Sequence, residues 1–153
     1  MTGHVTIGWK ESIALPGWGI DAMTAKLDTG ARGSAIDVAR IEMLDGNRVR
    51  FDVILDRGAA TRFRTVEAEI AGEVRVRSSN GIMQRRVRVR TGVLLGGVLK
   101  ETEFSLVSRK RMIHRVLLGR RFMGGTFFVD SSRRYVLGKP TAAKNKAKTR
   151  KHP

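Results

Sequence analysis

The sequence predicts an all-β domain. Three observations carry that prediction. Apolar and polar residues alternate in short runs, turn residues separate the runs at close spacing, and Asp45-Gly46-Asn47 stands between two such runs as a hairpin signal. At 153 residues the chain is long enough for one modest core. The domain is expected to occupy residues 1–138, with a basic, disordered tail over 139–153.

In chain order, His4–Trp9 reads as a first strand, and Pro16-Gly17-Trp18-Gly19 marks a turn. Met23–Asp28 is a strand in which Met23, Ala25 and Leu27 alternate with Thr24, Lys26 and Asp28. Ala39–Leu44 and Arg48–Leu55 flank the hairpin signal. Further strands are expected at Arg62–Ile70, Glu73–Arg77, Gln84–Thr91, Val93–Leu99 and Glu101–Val107. Arg120–Gly124 can hold one or two helical turns, after which Thr126–Val129 and Arg134–Leu137 close the domain as strands.

Composition narrows the chemistry. The chain has no cysteine, which removes disulfides and thiolate metal sites. No window reaches the roughly 18 apolar residues of a membrane span, and the first 25 residues lack the apolar run of a signal peptide. A soluble, cytoplasmic protein is the expectation. Thirty Lys and Arg oppose fourteen Asp and Glu, a net charge of +16. Six of those cations lie after Gly138, and without them the body still carries +10. A distributed positive field draws anionic partners and raises their encounter rate.

One segment speaks to chemistry directly. Lys26-Leu27-Asp28-Thr29-Gly30-Ala31 places an Asp-Thr-Gly triplet at the end of an apolar strand, and the triplet occurs once. Gly30 permits a tight turn that can aim backbone N–H groups at the Asp28 carboxylate. The Thr29 hydroxyl can bond across a symmetric interface. Aspartic peptidase chemistry needs two carboxylates that share a proton, one as base on water and one as acid. A single triplet therefore implies a homodimer if the activity is real. Such residues are also common in ordinary turns.

A second element matches. Val116-Leu117-Leu118-Gly119-Arg120 is the apolar-apolar-Gly-Arg element of retropepsin-like proteases, placed about 90 residues after the aspartate. Together with Ile7-Gly8-Trp9, Ala25 to Arg32, Ser34-Ala35, Arg109, Met112, Arg115 to Arg120, Phe128-Val129-Asp130 and Tyr135 to Gly138, it makes the chain resemble the RimB-like, retropepsin-like peptidases. These are often labelled "ATP-dependent zinc protease". The resemblance spans roughly residues 5 to 138. It implies a retropepsin-like closed β-barrel or sandwich with one short C-terminal helix, a homodimer and an acid-protease mechanism. It also implies company with ATP-grasp amino-acid ligases, and substrates that are acidic protein tails.

The chain departs from that pattern where the family commonly has Thr and His, at Gly33 and Asp37. Viral retropepsins carry an Asp where this chain has Arg32, so Arg120 must find another partner. Zinc and ATP find no motif. The histidines His4, His114 and His152 are far apart, and Gly92 to Gly97 lacks the Lys-Ser/Thr of a phosphate loop. No cofactor is expected.

Residues 73–91 form an arginine ladder. Val74 and Val76 alternate with Arg75 and Arg77, and Val87 and Val89 with Arg86, Arg88 and Arg90. With Ser79-Asn80-Gly81 as the turn, a hairpin is expected with valines on one face and five arginines on the other. Such a hairpin is a candidate flap over the cleft, or a solvated strand face. Arg suits bidentate capture of carboxylates. Arg32, Ser34, Arg77, Arg109 and Arg120 are the candidate substrate-binding residues, with Asp28 catalytic and Thr29, Gly30 and Ala31 shaping the loop. Arg109 and Arg115 could instead pair with Asp21, Glu42 or Asp130. Asp130 itself reads as a turn or capping acid, because Ser follows where Gly would be needed. Nucleic acid would explain the charge too, but aromatic residues total nine and no recognition motif occurs. A catalytically silent, peptide-binding dimer is the remaining reading.

Overall fold

Among the described residues there are ten strands, one turn of 3-10 helix and one short α-helix. The computed structural model describes residues 3–57, 60–77, 80–108 and 113–138. The expected tail over 139–153, Ser79, Arg109 and Met112 lie outside the described residues.

In order the strands are β1 (Val5–Gly8), β2 (Lys10–Leu15), β3 (Ile20–Leu27), β4 (Ser34–Leu44), β5 (Arg48–Arg57), β6 (Thr61–Arg77), β7 (Met83–Leu95), β8 (Val98–Val107), β9 (Val116–Leu118) and β10 (Phe127–Asp130). Helix α1 (Arg120–Met123) comes directly after β9. Eight strands form one sheet in the order β2-β3-β9-β4-β5-β6-β7-β8. The sheet closes on itself, because β8 also pairs with β4, in parallel, from Ser34↔Phe104 to Asp37↔Val107. Closure removes most free edges. β1 and β10 form a separate parallel pair, Val5↔Phe127 to Gly8↔Asp130.

The core fills the closed sheet. Ile13, Leu15, Ile36, Val38, Phe51, Phe104 and Leu118 are buried, and the Trp18 ring packs edge-on to Phe51 with centroids 5.4 Å apart. Each aromatic of that size removes roughly 150–250 Å² from water, so these rings dominate the packing.

Several elements differ from the sequence expectation, each for a physical reason. Strand β2 has no signal in the apolar alternation, because its inward row is Glu11, Ile13 and Leu15, and a buried carboxylate breaks the pattern. The first half of β4 is hidden because both its faces are buried, with Ser34 beside Ile36 and Val38 on one and Asp37 on the other. The expected strand across Val93–Leu99 is instead the end of β7, a turn and the start of β8. Gly96 (φ 59°) and Gly97 (φ 78°) supply the left-handed conformations that turn needs. β6 runs unbroken past Ala71-Gly72, absorbing a register shift between Ile70 and Gly72. The expected strand Arg134–Leu137 is a turn, with Tyr135 at φ 52°.

That last segment is held by a buried carboxylate rather than a ladder. Glu11 is fully buried and accepts hydrogen bonds from the backbone N–H groups of Gly8 (2.7 Å), Val136 (2.9 Å) and Leu137 (3.4 Å). It ties the start of the sheet to the closing turn. Gly8 lets the two approach, since a Cβ there would stand 2.5 Å from the Arg133 carbonyl oxygen. Replacing Glu11 with Ala orphans three donors and is expected to lower unfolding free energy by about 3 kcal/mol. Glu11→Gln keeps one acceptor oxygen and should lose roughly half as much. Urea titration of the three proteins checks the order, and equal midpoints for parent and Glu11→Ala would refute the tie.

His114 lies half-buried, edge-on to Trp9. Burial, then Lys10, Lys26 and Arg115, push its pKa down. The unfolded chain therefore binds the proton more readily. Stability from this group is complete above about pH 6.5 and falls as the pH drops through the window below it. His114→Gln should show a shallower loss of stability between pH 7 and 5 than the parent in matched denaturation series.

Candidate active site

Strand β3 ends at Leu27, so Asp28 emerges at the rim of the closed sheet, half-buried. Strand β9 is inserted between β3 and β4, parallel to the first and antiparallel to the second. This insertion fixes the aspartate loop. The Asp28 N–H donates to the Leu118 carbonyl at 2.8 Å, Arg120 N–H to the Ala31 carbonyl at 2.8 Å, and Arg121 N–H to the Arg32 carbonyl at 3.0 Å. The buried Ser34 hydroxyl accepts from Gly119 N–H at 3.1 Å.

Within the loop, Gly30 N–H donates to Asp28 Oδ1 at 3.0 Å, and Ala31 N–H donates to the Asp28 carbonyl at 3.2 Å. A Cβ on Gly30 would stand 3.3 Å from Oδ1, so glycine leaves the carboxylate its room. Arg120, which lacks an aspartate at position 32 to pair with, donates from Nη1 to the Thr29 carbonyl at 3.2 Å. Gly119 is the tightest point. A methyl group there would lie 2.3 Å from the Gly33 carbonyl oxygen and 2.8 Å from that of Ala31.

Asp37 is fully buried and pairs with Arg115 twice. Arg115 Nη1 reaches Asp37 Oδ2 at 2.6 Å, and Asp37 N–H donates to the Arg115 carbonyl at 2.8 Å. The anion at position 37 thus secures the entry to β9 rather than facing the cleft. Arg115 finds this partner and none of those expected for it. Asp130 accepts from the N–H and hydroxyl of Ser132, in a local turn that holds its carboxyl below the usual range.

The hairpin β6–β7 exists, but its faces differ from the expectation. Arg75 stands opposite Arg85, Val74 opposite Arg86, and Glu73 opposite Val87. Partners share a face, so Arg86, Arg88 and Arg90 join Val74, while Arg75 and Arg77 fall on the other side with Val87. The turn pairs odd-numbered with odd-numbered residues, and the five arginines are divided by parity. Arg77, Asn80 and Gly81 are exposed, the last at φ 83°, and Asn80 Oδ1 accepts from Ile82 N–H at 3.3 Å. They line neither of the two pockets beside the aspartate loop.

The larger pocket, of about 560 Å³, opens where the loop meets the hairpin and is lined by Arg32, Ser34, Arg88, Arg90, Glu103 and Arg121 among others. Arg121 and the glutamate do not stand out in the sequence. The only signal is a second arginine after Gly119-Arg120. Hydrogen bonding from Arg90 at 2.6 Å holds the Glu103 carboxyl below its ordinary range, with Arg88 and Arg121 adding to the effect against burial. The shallower pocket, of about 370 Å³, lies against Thr29, Arg120, Met123, Phe127 and Phe128. Phe128 is 59% exposed there and stacks on His4. Lys100 caps the end of α1 between these regions, donating to the carbonyls of Phe122 and Gly124 and to the Thr126 hydroxyl. Among the described residues no helix is long and apolar enough to cross a membrane.

A closed sheet with a strand inserted beneath an Asp-Thr-Gly loop defines the retropepsin-like class. The family described as "Retropepsin-like aspartic endopeptidase RimB" matches residues 6–140, and the chain belongs to this RimB-like family. Curated relatives carry another name. A "probable alpha-L-glutamate ligase" of Shewanella halifaxensis is 32% identical over 135 residues, 86% of this chain and 30% of that protein. One from Parasynechococcus marenigrum is 32% identical over 144 residues, 90% of this chain and 30% of that protein. The chain thus spans about 30% of the length of the curated relatives it matches. A crystal structure of Lpg0085 from Legionella pneumophila, a protein of unknown function (DUF785), superimposes with a TM-score of 0.72 at 25% identity. The match covers 88% of this chain and 98% of that one.

Gly119→Ala tests the loop. Overpacking against two carbonyl oxygens is expected to lower stability by about 2 kcal/mol and to displace Asp28. A thermal melt shows the first effect, and the NMR shift of the Gly30 amide reports the second. Unchanged values for both would show that the close approach is not a constraint.

Proposed function

We propose that the protein is a homodimeric aspartic-type peptidase in which Asp28 from each of two subunits forms the catalytic pair. The observation that carries this reading is the pinned aspartate loop. Its carboxylate stands at the sheet rim with one oxygen bonded to Gly30 N–H, and the backbone around it is held by β9 and α1. A preorganised carboxylate is what water activation requires. Two such groups across a two-fold axis share one proton, since both cannot ionise side by side. One takes a proton from water, and the other, protonated, donates to the scissile carbonyl.

The exposed Phe128 and the apolar pocket beside Thr29 support a partner copy on that side of the loop. A peptide or amino-acid-extended protein tail rich in acidic residues suits the net charge of +16. The relatives named as glutamate ligases support the same substrate, and a functional link to an ATP-grasp ligase. The chain matches only 30% of the length of those relatives, so their ligase name is not carried over to it. Those relatives also favour a second reading, a silent tail-binding module that serves a ligase.

Asp28→Asn separates the two readings. In the peptidase it lowers turnover of a glutamate-extended peptide by at least about a hundredfold while binding persists. Equal turnover by mutant and parent would dismiss the dyad. Sedimentation supplies the second check. Activity should track the dimer, falling with the square of protein concentration below the dimer's dissociation constant. Full activity in a monomer would dismiss the shared site.

A further inference from the structure

The pocket at the loop–hairpin junction holds four arginines against two glutamates: Arg32, Arg88, Arg90 and Arg121 against Glu101 and Glu103. The glutamates form their ion pairs on the Arg88 and Arg90 side. Glu103 lies 3.3 Å from Arg88 Nη1 and 2.6 Å from Arg90 Nη2, and Glu101 lies 3.7 Å from Arg90 Nε. Arg32 and Arg121 have no carboxylate within 4 Å among the described residues. Arg88 Nε is buried with no hydrogen-bond partner among them. Arg88 also has a fixed seat. It lies flat over Gly72, where a Cβ would stand 2.6 Å from its Nη2. Arg88 and Arg90 are braced by Glu103, Arg121 acts on the same carboxylate from beyond ion-pair distance, Arg32 has no carboxylate within 4 Å among the described residues, and Arg88 Nε is a buried donor without a partner there. Four guanidinium groups against two carboxylates leave the pocket with an excess of positive charge that suits a further carboxylate.

We propose that this pocket is a carboxylate-binding subsite for a side chain of the substrate, gripped by Arg32 and Arg121 and oriented by Arg88 and Arg90 on their Glu103 brace. The proposal rests on the peptidase reading, since it needs a peptide chain running past Asp28. Arg32 is four residues from Asp28, which bounds their separation at roughly 13 Å along the backbone. An extended peptide spans that in about four residues. The residue recognised therefore lies within about four positions of the cut bond. Glu103 already shows what the wall accepts, a carboxylate shared between two guanidinium groups.

The test uses the full chain carrying Asp28→Asn, so that peptide is not consumed. Calorimetry compares a peptide ending in four glutamates with its glutamine counterpart. The glutamate peptide should bind at least about tenfold more tightly. Adding Arg32→Gln with Arg121→Gln should erase that preference. Arg48→Gln with Arg134→Gln removes the same charge from exposed positions elsewhere and should leave most of it. Equal binding of both peptides, equal losses in the two double variants, or no loss in the pocket variant would overturn the subsite. Tighter, pocket-dependent binding of an oligonucleotide would overturn it too. Independently of any folding defect, the glutamate peptide should shift the side-chain Nε–H resonances of Arg32 and Arg121. Shifts confined to other arginines would count against the proposal. Turnover is scored on the Asp28 parent. Pocket-dependent binding without turnover strikes the peptidase reading alone, and turnover indifferent to the pocket variant strikes the subsite alone.

Discussion

The arrangement depends on the insertion of β9 between β3 and β4, and that insertion depends on Gly119. Three residues of β9 are enough to bridge the two strands, because their backbone groups are satisfied on both sides. Beyond Leu118 the chain must turn under the aspartate loop at a distance no side chain allows. The close approach lets a set of main-chain bonds fix Asp28, Ala31 and Arg32 at once. Main-chain bonds of this kind do not depend on side-chain rotamers. The position of the carboxylate is therefore set by backbone geometry, with Gly30 leaving its oxygen both space and a donor.

Two buried carboxylates hold the ends of that arrangement. Taking an anion out of water is unfavourable by several kcal/mol, so each must return specificity of position to be tolerated. Glu11 satisfies three backbone donors that no ladder reaches, and Asp37 meets the guanidinium of Arg115. Both act on chain crossings. Glu11 joins the first strands to the closing turn, and the Asp37–Arg115 pair fixes where β9 enters the sheet.

The same carboxylates explain what was legible in the sequence. The Asp-Thr-Gly loop, the late Gly-Arg element and the all-β class were readable, because turn residues and apolar alternation report directly on strands that face water on one side. β2 and the first half of β4 are hidden, since Glu11, Ser34 and Asp37 are polar residues at buried positions and mimic solvent-facing ones. The arginine hairpin is visible in the sequence as a hairpin, but the distribution of its arginines over the two faces is not. Its composition could not reveal register, but the parity of the turn could have. Arg75 pairs with Arg85 and Val74 with Arg86, so alternation within each strand does not carry across the pair. The arginine pocket was half legible. Arg32, Arg88 and Arg90 stood out singly, while Arg121 joins them only because α1 begins directly beneath the loop.

That division of the arginines sharpens the meaning of the charge. A net +16 spread evenly would attract any polyanion with little preference. The fold pairs some of the cations with the few acids, which leaves the excess on the others. Arg50 is shared by Glu42 and Glu67, Arg85 meets Glu73, and Arg90 meets Glu103. Arg32 and Arg121, beside the aspartate loop, are left without such a partner among the described residues. Exposed pairs of this kind contribute little to stability, at most about 1 kcal/mol each. Their larger effect is on where the positive potential remains. Arg32 and Arg121 keep part of that excess next to the loop that presents Asp28.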